Sequence, residues 1–218
     1  MAYDDLREYV NELERRNLLY RIDHPIIKET ELMPLVRWQF RGLDEEQRKA
    51  FLFTNVVDVH GKRFDGMVLV AALGASRKTY AAAIGCEDPE EIQEVWENAL
   101  NNPIEPRILS DAEAAAAPVK EEIHKGDSLE EHRGLEEFPI PISTPGFDAA
   151  PFLSSPYWVT KDPETGIRNV GTYRGMLKSP TRLGIWAPAI QHIGVHWRKA
   201  KERGMDRLPA AIILGAMP

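Results

Sequence analysis

The chain has 218 residues, a formal net charge of −7, 43% hydrophobic residues and 28% charged residues. This is an ordinary composition for a globular protein with enough chain for one large domain or two small ones, and its acidity excludes a general nucleic-acid binder, which needs a basic face for phosphates. The lone Cys86 excludes an intrachain disulfide and a cysteine zinc site, and no apolar run reaches the ~18 residues of a membrane span.

In chain order, Leu6, Tyr9, Val10, Leu13 and Asn17 recur with a helical period, acids early and Arg15-Arg16 late, and predict an amphipathic helix over 4–18. Leu18 to Ile22 reads as a short strand. Thr30 is placed to cap a second helix from Glu31 to about Phe40, with Pro34 tolerated in its first turn and Gly42 ending it. Residues 50–59 are β-rich, His60-Gly61-Lys62 forms a turn, and Met67 to Ala72 is an apolar strand. Gly74-Ala75-Ser76 opens a helix from Arg77 to Ile84, and Asp88 caps another that includes Ile92, Val95, Trp96 and Leu100. Strands alternating with helices predict an α/β domain over residues 1–115.

The texture changes after Asn102. Pro103, Pro106, Pro118, Pro139, Pro141, Pro145, Pro151 and Pro156 punctuate the next stretch, which predicts short or edge strands and turns, with a domain boundary near residues 110–125. Tyr157 to Lys161 and Ile167 to Leu177 form a predicted hairpin around Asp162-Pro163-Glu164-Thr165-Gly166. A third strand covers Arg182 to Ala187, and a helix runs from Ile193 to Arg203. Leu208 to Leu214 is apolar throughout and reads as a strand buried on both faces.

Three stretches could carry chemistry. On the predicted strand, Asn169-Val170-Gly171-Thr172-Tyr173-Arg174 combines an amide for a metal or phosphate with a guanidinium for a carboxylate. A straight strand would put Asn169 and Arg174 on opposite faces, and Gly171 and Gly175 allow a bulge or a close ligand approach. His192 and His196 stand at the i, i+4 spacing of metal ligands, but Ile193 follows the first where a zinc protease has Glu. Gly74-Ala75-Ser76-Arg77-Lys78 could cradle an anion at a helix start, yet lacks the spacing of a dinucleotide or P-loop motif. By pattern alone each has a plainer reading: a hairpin with surface polar residues, core or surface histidines, and an ordinary α/β connection.

Taken together, Val159-Thr160-Lys161-Asp162-Pro163-Glu164-Thr165-Gly166, Asn169 to Arg174, Gln191-His192-Ile193-Gly194 and Leu208-Pro209-Ala210-Ala211-Ile212 resemble the UbiD family of decarboxylases. The opening Asp5-Leu6-Arg7-Glu8-Tyr9 and the Gly74 turn resemble it too. The resemblance implies a mixed α/β (α+β) fold, with residues 116–218 as the first part of a split β-barrel flavin domain. It implies prenylated FMN held through Mn2+ or another divalent metal, with K+ nearby. On the matching positions, Asn169 and His192 would ligate the dication. Val170 would offer a backbone oxygen to the K+. Gly171, Thr172, Tyr173, Arg174, Gln191 and His192 would bind the cofactor, and Arg174 would also be catalytic, beside the reactive ring.

The implied reaction is reversible non-oxidative decarboxylation of an aromatic or α,β-unsaturated acid, or its CoA thioester, with CO2 as the other partner. A flavin prenyltransferase would supply the cofactor to a cytoplasmic homo-oligomer, dimer or hexamer, with no nucleic acid or membrane partner. Family members are about twice as long, so a third metal ligand, a Glu, and the catalytic acid are expected beyond Pro218, and the chain alone is expected to be inactive. Asp162 and Glu164, in the hairpin turn, read as solvated. The rival readings are a non-catalytic flavin-binding subunit of a multi-subunit aryl carboxylase and an FMN oxidoreductase on a split barrel.

Overall fold

A computed structural model describes residues 3–217. Helix α1 (Leu6–Arg15) starts where the Asp5 carboxylate accepts the N–H groups of Arg7 and Glu8. It stops short of the predicted residue 18 because Asn17 adopts a left-handed φ of 57° and turns the chain into β1 (Leu19–Ile22). β1 lies parallel to β3 (Ala50–Phe53), which pairs antiparallel with β5 (Val68–Val70). Every residue of β3 is buried, as a central strand covered on both faces requires. Phe51 and Phe53 pack with Leu32 and Val36 of α2 (Leu32–Gly42). Ala50 packs with Tyr9 and Leu13 of α1 and with Ala82 and Ala83 of α3 (Arg77–Ala83).

Two caps differ in kind. Ser76 caps α3 in a reciprocal capping box with Thr79, while α2 begins one residue later than expected. Its N-cap is Glu31, which makes no side-chain cap bond; the Glu31 carboxylate instead accepts the Ile27 N–H at 2.9 Å. Thr30 is therefore not the cap. A small parallel pair, β2 (Ile26–Ile27) and β4 (Val56–Val57), closes this half.

Between the halves the core disappears. No residue from 101 to 133 is buried, although α5 (Asp111–Ala115) and α6 (Asp127–Glu131) form there, after α4 (Ile92–Asn101). Burial resumes at Gly134, and the Leu135 N–H then donates to the Pro180 carbonyl at 2.7 Å. A second tie comes from α2, where Arg37 Nη2 donates to the Ser143 carbonyl at 2.7 Å and to Thr144 Oγ1 at 2.6 Å.

The second half holds two antiparallel three-stranded sheets. One has the order β10-β9-β6, built from β6 (Phe152–Leu153), β9 (Gly175–Ser179) and β10 (Arg182–Ile185). The other has the order β11-β7-β8, built from β7 (Tyr157–Lys161), β8 (Arg168–Thr172) and β11 (Ala210–Ile213). Helix α7 (His192–Glu202) packs on β7 and β8. The architecture is a mixed α/β one, and the described strands close no barrel.

Two sequence expectations need correction. The strand predicted over 167–177 is two strands in different sheets, broken at Tyr173-Arg174. The Tyr173 carbonyl leaves the ladder because it accepts the Trp158 indole N–H at 2.8 Å. Nor is the last strand buried: all four residues of β11 are exposed, since it pairs only with β7 and no described layer covers it. No helix among the described residues is long and apolar enough to cross a membrane.

Candidate functional site

The alternation of β8 sorts the candidate residues. Asn169 and Gly171 lie on its partly buried side, while Arg168, Val170 and Thr172 are exposed on the other. Asn169 Nδ2 is the buried side-chain polar atom that finds no hydrogen-bond partner among the described residues. Such an orphan costs roughly 1–3 kcal/mol unless something satisfies it. Gly171 is bare for an internal reason: a Cβ there would stand 2.6 Å from the Tyr173 hydroxyl oxygen. The Tyr173 ring already fills the space next to it. That ring is buried with Trp158 and Ile193, and its hydroxyl accepts the Ile193 N–H of α7 at 3.4 Å.

Tyr173 thus joins β8 to the start of α7. Gln191 is the N-cap of α7 but makes no side-chain cap bond, and the first turn contains no acid. The Ile193 N–H is taken by Tyr173, and the positive end of the helix dipole favours an anion. His192 is the first helical residue, and both it and Gln191 are exposed. Just before them, Trp186 and Ile190 are 81% and 93% exposed and form an apolar rim that sequence reasoning passed over. Gly194 lets the helix start sit on the Ala187–Pro188 backbone.

Arg174 occupies the break between the sheets. Its guanidinium lies over the Phe152 ring at 4.1 Å, and Nη2 is 3.6 Å from the Asp148 carboxylate. Asp148 is held in turn: its carboxylate accepts the Thr144 N–H at 2.7 Å, in the turn that Arg37 braces from α2. Half of the Arg174 side chain stays open to solvent. Asp148, Phe152 and Arg37 were not recognisable as partners of Arg174 from spacing, because the turn and the sheet switch that gather them are tertiary features.

Of the two hairpin acids, Glu164 is exposed as expected but Asp162 is not. The Asp162 side chain is only 12% exposed and bonds Lys199 Nζ of α7 at 2.7 Å. Glu164 pairs with Lys199 at 2.8 Å and with Arg203 at 3.0 Å. His196 is buried, with Nδ1 2.9 Å from Thr160 Oγ1 and Nε2 3.9 Å from Asp162. This network fastens the β7–β8 hairpin to α7, and His196 belongs to it rather than to a metal pair with His192. The Lys199 ammonium, then the Glu164 N–H, hold the Asp162 carboxyl from its ordinary 3.8 down to about 2. A depressed acid stabilises the fold above its unfolded pKa and loses that contribution as pH falls through the folded one. The hairpin–α7 contact should therefore weaken between about pH 4 and pH 2, and Asp162→Asn should flatten that limb of an acid titration followed by near-ultraviolet circular dichroism. An unchanged acid limb in the variant would remove Asp162 from this role.

The Gly74 turn holds an anion from its own chain, since the Arg77 N–H at the start of α3 donates to Glu45 Oε1 at 2.7 Å.

Family comparison matches residues 10–98 to the 3-octaprenyl-4-hydroxybenzoate carboxy-lyase N-terminal domain, UbiD_N. Residues 111–218 match the Rift-related domain of the same carboxy-lyase, UbiD. A phenolic acid decarboxylase of Streptomyces sp. strain D7 is 31% identical over 229 residues, covering 100% of this chain and 44% of that protein. The apo 3,4-dihydroxybenzoic acid decarboxylase of Enterobacter cloacae superposes with a TM-score of 0.80 at 28% identity, covering 100% of this chain and 43% of that one. An evolved dimeric form of the UbiD-class enzyme HmfF from Pelotomaculum thermopropionicum, in complex with prFMN, gives 0.76 at 26% identity, covering 99% and 45%. The chain spans less than half the length of each of these relatives.

Proposed function

The chain belongs to the UbiD family, and from that premise we propose that it forms the cofactor-phosphate side of a carboxy-lyase acting on an aromatic or α,β-unsaturated acid. The observation that carries the reading is the orphaned Nδ2 of Asn169, an N–H donor that suits a phosphate oxygen, on the face of β8 that packs against α7, whose start carries His192. An amide, an imidazole and the positive end of a helix dipole suit a phosphate bridged by a hard dication such as Mn2+. In this reading Asn169, through its Oδ1, and His192 ligate the dication, with a carboxylate from further along the protein. The Val170 carbonyl serves a K+ ion, and Gly171, Thr172, Tyr173 and Gln191 flank the flavin.

Prenylated FMN supplies the electron sink for breaking the carbon–carboxylate bond. The residues of this chain provide placement. Tyr173 fixes the start of α7 relative to β8, so that the two ligand-bearing elements keep their spacing. Trp186 and Ile190 offer apolar surface to the flavin or to the rest of the protein, and either contact excludes water. Arg174 presents a planar fork to a substrate carboxylate, held by Phe152 on one face and Asp148 at one edge. The relatives named for phenolic and dihydroxybenzoic acid decarboxylation and for prFMN binding support this reading. In the same reading a flavin prenyltransferase provides the cofactor, and the protein works as a cytoplasmic homo-oligomer.

Replacing His192 with alanine in the full protein is expected to lower manganese and flavin content together, because the metal and the phosphate hold each other. Metal analysis and mass spectrometry of the released flavin measure both. Full occupancy in the variant would overturn the assignment. Ordinary FMN, reducible by NADH, in the unmodified protein would favour the oxidoreductase reading instead.

A further inference from the structure

We propose that His124, His132 and Glu137 form a second metal site, of the zinc class, in the coreless segment that joins the two halves. Their ligand atoms all lie within 4.8 Å of one another. The two imidazole rings have centroids 3.8 Å apart and are tilted by 50° to each other, and His132 Nδ1 is 4.0 Å from Glu137 Oε1. A tetrahedral ion about 2.0 Å from each donor holds its ligands about 3.3 Å apart, so rotation of these half-exposed side chains about their own bonds is enough to close the shell. The three share no element with Asn169 or His192.

The surroundings give no other account of the cluster. None of the three side chains makes a hydrogen bond to a described residue, and no lysine or arginine pairs with Glu137 among them. The donor set points to the ion: two imidazoles and one carboxylate suit Zn2+, Co2+ or Ni2+, whereas Ca2+ and Mg2+ prefer all-oxygen shells. Glu122, 4.0 Å from His124 Nε2, or a water is placed to complete the shell.

The position also gives such an ion a task. His124 precedes α6, His132 is its C-cap residue, and Glu137 ends the turn that docks on Pro180. No residue of 101–133 is fully buried and only a few, Leu129 among them, are partly so, so apolar packing does little to hold this segment against its conformational entropy. One ion across three side chains would tie α6 to the docked turn, as structural metals do in domains that lack a core.

The test is a titration of the chelator-treated full protein with ZnCl2, repeated with CoCl2 so that visible d–d absorption reports the donor set. Expected is one equivalent of Zn2+ that His124→Ala/His132→Ala loses, that Glu137→Gln binds at least about tenfold more weakly, and that His192→Ala retains. Zn2+ should also slow tryptic cleavage at Lys120, Lys125 and Arg133 in the unmodified protein but not in His132→Ala, a readout independent of decarboxylase activity and of flavin content. Equal zinc in the unmodified protein and the double variant would overturn the proposal. So would loss of the same equivalent in His192→Ala, which would assign it to the β8–α7 site, whether or not that site serves a flavin. Circular dichroism of each variant separates loss of the site from loss of the fold.

Discussion

Replacing Arg174 with alanine is expected to cut turnover of the full protein by roughly 10²–10⁴-fold, with flavin and metal content unchanged. The division follows from where the side chain sits. Asn169 and His192 lie on β8 and at the start of α7, whereas Arg174 sits past the break of the strand and points to Phe152 and Asp148. In the proposed reading it lies outside the phosphate end. Its environment is built for orientation. The Phe152 ring limits the guanidinium to one plane, Asp148 takes one edge, and the Thr144 N–H and Arg37 hold Asp148 and its turn. A substrate carboxylate can then meet the remaining donors without the entropy of ordering a free arginine.

Arg174→Lys should recover little, because an ammonium matches neither the plane nor the two-point grip of the fork. Asp148→Asn keeps the shape but removes the charge, and should lower kcat less than Arg174→Ala while leaving cofactor in place. Steady-state kinetics with flavin quantified in every preparation decides the matter, and near-normal turnover of the lysine variant would remove Arg174 from catalysis.

The parts of this fold legible in sequence are those set by neighbours in the chain. Residues 50–59 read as β-rich and the Asp162–Gly166 turn as the link of a hairpin, and the structure has β3 and β4 in the first and β7 paired with β8 around the second. The family was legible as well, since its motifs are ordered local strings. What was illegible depends on residues far apart in sequence. The break at Tyr173-Arg174 exists because the indole of Trp158, fifteen residues earlier, takes a carbonyl out of the ladder. Gly171 looked like room for a ligand and is room for the ring of Tyr173.

Asp162 looked solvated because its cationic partner, Lys199, comes from a helix more than thirty residues later. Leu208–Leu214 looked buried because an apolar string states what a strand would pack against, not whether that layer is among the residues at hand. The candidate site divides in the same way. Asn169, His192 and Arg174 could be named from strings, whereas the orphaned amide, the tyrosine tie and the Asp148 brace appear only once the strands are paired.

The same long-range packing gives Gly194→Ala a large expected cost in stability. In a free helix, alanine for glycine is favourable by about 1 kcal/mol. At this position a Cβ would overlap the Pro188 carbonyl oxygen and stand 2.7 Å from its carbon and 2.9 Å from the Ala187 oxygen. All three are backbone atoms, so no rotamer change relieves the clash, and the start of α7 has to lift from the 187–188 loop. Lifting it breaks the Tyr173–Ile193 bond, opens the Trp158–Tyr173–Ile193 cluster and carries His192 away from Asn169. Overpacking and a lost tertiary contact together should exceed the helix gain and leave a net loss of about 3 kcal/mol or more.

Gly42→Ala is the matched control. It sits at the end of α2 with nothing within 4 Å of the added carbon, so it should be neutral or slightly stabilising. Urea denaturation of both variants reads the difference in sign, and flavin content reads whether His192 has moved. A Gly194→Ala protein as stable as the original would mean that the α7–loop contact yields easily, and the spacing of Asn169 and His192 could not then rest on it.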